Sequence, residues 1–310
     1  MIHIDFDAVH RLADVGSLVE PLRQSFLSHA VAPERAHYDL TTADKPGTLL
    51  LMPSWQPGGD MGVKIVTIFP DNAHRGLPTV NAAYLLLSGQ TGESLAWIDG
   101  RALTLIRTAA VSALAADLLA PAAPEVLLVV GTGALSRYFV EGHRAVRRYR
   151  SILVWGRDPS KAAAVAQDLG ARGWPVKAVA DLESAARTAD VISCVTLAEQ
   201  ALVHGAWLKA ECHLDLVGSF KPAMREVDDD CLRGAFIAVD TLAALKESGD
   251  LIGPLARNVV AQENISPLGA LLASRPPVPR PHRTVFKSVG VAHADLAVAR
   301  QLFDRKGPAI

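Results

Sequence analysis

The chain has 310 residues, 50% of them hydrophobic and 20% charged, and its 31 Lys and Arg nearly cancel its 32 Asp and Glu to leave a formal net charge of −1. That length holds two domains, or one large one, each with a proper hydrophobic core, and the composition excludes a disordered chain. With no net basic field, neither nucleic acid nor an anionic membrane is an expected partner, so any anion site must be local.

The N-terminal MIHIDFDAVHRL carries acids early and has no long apolar core, so neither a signal peptide nor a membrane anchor is expected, and the location expected is cytoplasmic. Asp7 to about Ala30 reads as helical. Alternating segments follow at Arg35 to Leu40, Thr48 to Met52, Gly62 to Phe69, Val80 to Leu87 and Ser94 to Ile98, separated by glycine, proline and asparagine. These predict a mainly antiparallel sheet, with Ser88 to Gly92 as a hairpin turn. Arg101 to Leu119 has helical spacing and many alanines, so it reads as a closely packed helix ending before Pro121.

Strands then alternate with helices: Val126 to Val130, Ile152 to Trp155, Val176 to Val179, Val191 to Val195, His213 to Val217 and Phe236 to Val239. Alternation on this scale predicts an α/β fold with a Rossmann-type doubly wound parallel sheet. Ser274 to His282 is too proline-rich for either element and reads as an exposed connection. VFKSVGVAHADLAVARQLF reads as a short strand, a glycine turn and an amphipathic helix that returns to the first domain. The expected division is a substrate domain of the α+β type over 1–118, joined by 288–310, and a dinucleotide domain over 119–287. Cys194, Cys212 and Cys231 are odd in number and lie in or beside apolar segments, as reduced buried thiols would. No CxxC or Cys/His cluster suggests a metal site.

Glu125 to Ser136, EVLLVVGTGALS, is an apolar strand running into Gly131-x-Gly133-x-x-Ser136. Such a turn before a helix lets the backbone amides of Gly131, Thr132, Gly133, Ala134 and Leu135 face a pyrophosphate, although an ordinary tight turn would look similar. Thr196, just past the fourth strand of this half, and Val217, at the end of the fifth, lie where a dinucleotide crosses such a sheet. In NAD-binding sheets an acid at the end of the second strand meets the ribose, but here that position is Gly156. Arg157 follows at once, with Lys161 a helical turn later, where a 2′-phosphate would sit. Asp158-Pro159 reads as a helix cap followed by an N1 proline. NADP(H) is therefore favoured, with NAD(H) still open.

Gly62-Val-Lys64-Ile-Val, Leu77-Pro78-Thr79, Asp99-Gly100 leading to Arg107-Thr108-Ala-Ala, Gly131-Thr-Gly133, Val239-Asp240 and Val285-Phe-Lys287-Ser288-Val-Gly290 occur in this order. Together they resemble the ornithine cyclodeaminase and mu-crystallin family over nearly the whole chain. The resemblance implies a substrate domain whose sheet forms a homodimer interface, and it places Thr108 with the coenzyme. The family contains ornithine cyclodeaminases, an alanine dehydrogenase, reductases of cyclic ketimines and ligand-binding crystallins, so the fold does not choose the activity. Where the cyclodeaminases place an aspartate, Gly218-Ser219-Phe220-Lys221-Pro222 has Phe220, whose ring cannot take a proton. The GSFxPxMRE stretch instead resembles the branch that reduces pyrroline-2-carboxylate and piperideine-2-carboxylate.

Such substrates carry a C=N bond beside a carboxylate. Arg107 can hold that carboxylate through two parallel hydrogen bonds, or else form a structural ion pair on its alanine-rich helix. Lys64, inside GVKIVTIF, reads by itself as an outward-facing strand lysine. The resemblance makes it a second contact to carboxylate or imine, and burial would lower its pKa enough to relay a proton. Arg35 resembles the family's other carboxylate-binding arginine, and Thr79 either contacts substrate or pairs within its strand. His37, His204, His213 and His293 show no triad or metal pattern. Reductive amination of a keto acid, ornithine cyclisation and ligand binding with little turnover remain the alternatives.

Overall fold

The computed structural model describes residues 1–42, 45–274 and 282–307. The chain forms two compact units, one built from Met1–Thr108 and the segment from Val291 onward, the other from Ala109–Gly290.

Among the described residues, the first unit carries six strands: β1 Ile2–Ile4, β2 Ala36–Asp39, β3 Thr48–Trp55, β4 Met61–Ile68, β5 Val80–Leu87 and β6 Ser94–Asp99. They form one sheet in the order β1-β6-β5-β4-β3-β2, antiparallel except that β1 joins β6 in parallel. The β5–β6 turn closes as expected, with Ser88 N donating to Glu93 O and Gly92 N to Ser88 O, both at 2.9 Å. Met52, Lys64, Tyr84, Ile98 and Ile4 lie in register across five strands, and all five are buried. Helix Ala292–Lys306 packs on this face of β3 to β6 and against helix Val19–Leu27. Its inward residues Ala292, Asp295, Leu296, Ala299 and Leu302 recur at the three- and four-residue steps of one helical face. The opposite face is apolar too. Pro53, Val63, Leu85 and Trp97 align across it, and Trp55, Met61 and Trp97 stay 40%, 36% and 38% exposed.

The second unit adds β7 Val126–Val130, β8 Ser151–Trp155, β9 Val176–Ala178, β10 Val191–Cys194, β11 His213–Leu216, β12 Phe236–Val239, β13 Ile265–Pro267 and β14 Thr284–Lys287. All pair in parallel, in the order β13-β12-β14-β11-β10-β7-β8-β9. The chain moves outward one way from β7 to β8 and β9, then starts again on the other side with β10. That reversal puts the topological switch point between β7 and β10, outside whose carboxyl ends ligands of such sheets bind. Strands β7, β10, β11, β12 and β14 are buried at nearly every residue, as strands covered on both faces are.

Helix Gly100–Leu119 begins where Asp99 Oδ1 accepts from Ala102 N at 2.7 Å, and its alanines are buried. The helical region expected from Asp7 to Ala30 is in fact two helices, Phe6–Leu12 and Val19–Leu27, with a 3₁₀ turn at Gly16–Leu18. Asp5 caps the first, and the Ala13 N–H closes its end on Val9 O. Strands β1 and β13 are not anticipated. The proline-rich connection expected from Ser274 to His282 lies, at 275–281, outside the described residues. The three cysteines are free and buried.

Candidate active site and coenzyme groove

Three charged side chains meet beneath the helix of the first unit. Lys64 Nζ lies 2.7 Å from Asp295 Oδ2, and Arg107 Nε lies 2.7 Å from Asp295 Oδ1. Lys64 and Arg107 are 2% and 6% exposed, and Asp295 is fully buried. Lys64 thus faces the helix, not solvent, and the outward reading of its strand is corrected. The other face of β4 holds Val63 and Ile65, apolar but only half-buried, so alternation alone could not say which side was covered.

Burial pushes the Lys64 ammonium down to about 7, the nearby Arg107 adds to the shift, and Asp295 opposes it. Burial also drives the Asp295 carboxyl upward, but Arg107 and Lys64 together outweigh it and hold the group below the usual carboxylate range. When all three ionise, two cations face one anion. The terminal nitrogens of Arg107 make no hydrogen bond among the described residues, leaving two parallel donors for a second carboxylate.

Arg35, half-buried just before β2, is near enough that its charge also depresses Lys64. Thr79 precedes β5, where its carbonyl accepts from Phe69 N at 2.8 Å. The Thr108 hydroxyl turns back to donate to Thr104 O at 2.6 Å. Tyr84, directly across from Lys64, is fully buried, and its hydroxyl has no hydrogen-bond partner among the described residues.

In the second unit, a groove of about 910 Å³ opens at the switch point. Gly131, Thr132, Gly133, Trp155, Gly156, Arg157, Lys161 and the loop from Val195 to Gln200 line it. Gly131 has φ +129°, and a Cβ there would lie 2.8 Å from Val195 O, so only glycine permits this turn. A Cβ at Gly133 would meet nothing within 4 Å, which leaves its backbone open to a ligand. Ser136, in the third glycine's place, is buried and donates its hydroxyl to Gly131 O at 2.8 Å, closing the turn. Helix Ser136–Val146 starts there without a side-chain cap, its first N–H, that of Ser136, donating to Gly133 O at 3.2 Å. The turn, the open glycine and the uncapped helix fit a dinucleotide pyrophosphate.

Asp158 caps helix Pro159–Gly170 as expected, its Oδ1 accepting from Ser160 N at 2.9 Å. Arg157 and Lys161 are exposed and make no ion pair among the described residues. Ala134 and Leu135 form the turn into the helix, while Val217 is buried with its N–H bonded to Cys194 O; none of the three lines the groove. Thr196 does line it, and its hydroxyl and N–H both go to Glu226.

Sequence reasoning missed Asp295, Tyr84 and Glu226. Asp295 leaves one signal, a lone acid on the apolar stripe of an amphipathic helix. Glu226 leaves another, as the last residue of the GSFxPxMRE stretch.

Residues 5–307 match the Ornithine cyclodeaminase/mu-crystallin family model. A Delta(1)-pyrroline-2-carboxylate reductase of Colwellia psychrerythraea is 33% identical over 97% of this chain and 98% of its own length. Two solved structures share the fold. That of the Thermococcus litoralis Delta(1)-pyrroline-2-carboxylate reductase, in complex with NADH and L-proline, has a TM-score of 0.92 and 28% identity over 98% of this chain and 97% of that one. An archaeal alanine dehydrogenase dimer with bound NAD has a TM-score of 0.91 and 25% identity over 100% of this chain and 98% of that one. With its glycine turn, its buried lysine and arginine, and this match over almost its whole length, the chain belongs to the ornithine cyclodeaminase/mu-crystallin family.

Proposed function

We propose that this chain reduces small cyclic ketimines, Delta(1)-pyrroline-2-carboxylate and Delta(1)-piperideine-2-carboxylate, to L-proline and L-pipecolate with a reduced nicotinamide coenzyme. It is an oxidoreductase of C=N and CH–NH bonds. The observation that carries the substrate class is the buried Lys64–Asp295–Arg107 group, which lacks one negative charge. A substrate carboxylate supplies that charge, and the terminal nitrogens of Arg107 offer it two parallel bonds.

The dihydronicotinamide, when bound, supplies the hydride that adds to the imine carbon. Lys64 provides the proton for the imine nitrogen, so the C=N bond becomes CH–NH. A donor whose pKa stands at about 7 is matched to this work, because it holds its proton near neutrality and still gives it up readily. An ordinary lysine, protonated far above neutrality, would be a poor donor. Asp295 keeps the ammonium from being lost altogether and fixes both cations in place.

The sign of the pH dependence follows. Lys64 carries its proton below about pH 7 and loses it above, so kcat/KM for reduction should fall as pH rises through that value. A profile flat or rising across this range would remove Lys64 as the donor.

For the coenzyme, NADP(H) is favoured over NAD(H). Gly156 offers no carboxylate to a ribose, Asp158 is engaged in capping, and Arg157 and Lys161 stand at the groove as exposed cations. Replacing Arg157 with alanine should raise the KM for NADPH roughly tenfold, the loss of one charge-assisted hydrogen bond, and leave the KM for NADH nearly unchanged. Equal effects on both coenzymes would point to NAD(H).

A homodimer is proposed through the apolar sheet face of Pro53, Val63, Leu85 and Trp97, a reading supported by the dimeric alanine dehydrogenase. The buried free cysteines suit a reducing, cytoplasmic location. The likeness to that dehydrogenase also favours one second reading, reductive amination of pyruvate. Ammonium-dependent turnover with pyruvate, exceeding that with either ring, would select it.

A further inference from the structure

Behind the groove wall lies a buried carboxylate that the proposed chemistry leaves unused. Glu226 is fully buried, with both oxygens engaged. Its Oε1 accepts from Thr196 N at 2.7 Å and from Thr196 Oγ1 at 2.9 Å, and its Oε2 accepts from Gly218 N at 2.8 Å. Thr196 follows β10 and Gly218 follows β11, so one carboxylate ties together the tips of two neighbouring strands. Their approach leaves no spare room, since a Cβ on Gly218 would fall 1.8 Å from Thr196 O.

The backbone repeats the connection. Arg225 N donates to Ala198 O at 2.7 Å, and Leu202 N donates to Glu226 O at 2.9 Å. Thr196, Ala198 and Leu202 all line the dinucleotide groove. The Glu226 N–H is in turn held by Asp250 Oδ1 at 2.8 Å, and Lys287 Nζ lies 3.3 Å from Asp250 Oδ2. The charged and titratable groups around Glu226 are therefore Asp250 from helix Gly249–Ala256, Lys287 from β14 and Cys194 from β10.

We propose that Glu226 is a positioning residue for the coenzyme: its ionised carboxylate holds the Thr196–Leu202 loop and the Gly218 turn in the shape that the dinucleotide requires. The proposal rests on the dinucleotide reading of the groove. All three groups facing the carboxylate are donors, so the anion satisfies each. An amide in its place turns one acceptor into a donor and leaves a buried pair of donors opposed, and a protonated carboxyl loses the charge that strengthens all three bonds. Burial pushes the Glu226 carboxyl up to about 7, with Lys287 opposing and Asp250 adding to the rise. The group therefore takes up its proton near neutrality.

The test is NADH binding to the whole protein, followed by quenching of tryptophan fluorescence, with Trp155 lining the groove. NADH is the probe because it has no 2′-phosphate to titrate. For the wild type, the dissociation constant should rise by up to about tenfold as pH falls from about 8 to about 6, the range in which the carboxylate is protonated. Glu226→Gln should bind NADH about tenfold more weakly at the higher pH, with no dependence on pH across this range. A wild-type constant that stays level over the range overturns the proposal, and that measurement needs no variant to fold. A pH dependence kept by Glu226→Gln overturns it as well. If the wild type binds neither NADH nor NADPH at any pH, the dinucleotide reading itself fails and takes the proposal with it.

Discussion

Replacing Lys64 with methionine should lower kcat for pyrroline-2-carboxylate reduction by about 10²- to 10⁴-fold, the usual contribution of a positioned proton donor. Methionine keeps much of the length and fills the space between Met52 and Tyr84 in the register row, so the sheet should survive. Removing a buried cation whose ammonium form is disfavoured by burial should even relieve part of the desolvation cost at neutral pH. Coenzyme affinity should not change, because the groove residues lie elsewhere in the chain. Single-turnover kinetics separate the effects: slow hydride transfer with normal NADH binding is the expected pattern. Turnover close to that of the wild type would show that water or another group protonates the imine.

Replacing Asp295 with alanine should have the largest effect on stability. It leaves Lys64 and Arg107 buried with their shared counter-charge gone, and breaking a buried ion pair by removing one partner costs about 3–5 kcal/mol. Denaturant unfolding should show this as a lower midpoint, reported by a probe in the first unit. A second readout distinguishes position from mere stability. Asp295 opposes the downward shift of Lys64, so without it the lysine should lose its proton at lower pH, and the break in the rate profile should move the same way. The double substitution of Asp295 and Lys64 should recover part of the lost stability, because one of the two stranded charges is then absent. An unchanged midpoint for Asp295→Ala would mean that solvent already screens the two cations.

How much of this could be read from the chain depended on how local each signal was. The β7 run and the Gly131 turn were legible because strand, glycine and helix follow one another within a dozen residues. Asp158 was legible as a cap for the same reason, since its partners are its immediate successors. Alternation on a sheet with one wet face would have placed Lys64, but β4 is apolar on both sides. The information that settles its orientation resides in helix Ala292–Lys306, remote in sequence and packed on only one face. Asp295 was invisible for the complementary reason. An acid on a helix reads as solvated until the strand beneath it is known to carry a lysine.

Glu226 shows the same limit in the other half. Its three donors come from loops after β10 and β11, and neither loop advertises a need for an anion. Strands β1 and β13 were not read from the sequence, although β9, also of three residues, was. The parallel order itself was readable from the alternation of strands and helices. The insertion of β14 between β11 and β12 was not, because only pairing in space shows which strand a late segment joins.

The most direct measurement is coenzyme oxidation, followed by nicotinamide absorbance, with NADPH and NADH each supplied against pyrroline-2-carboxylate, piperideine-2-carboxylate, and pyruvate with ammonium, and with ornithine tested in parallel for release of ammonia. Rapid oxidation with one or both cyclic imines, and little with the other substrates, is the predicted result. Turnover confined to pyruvate with ammonium or to ornithine, or binding of NADPH with no turnover of either ring, would contradict a ketimine reductase built on Lys64 and Arg107.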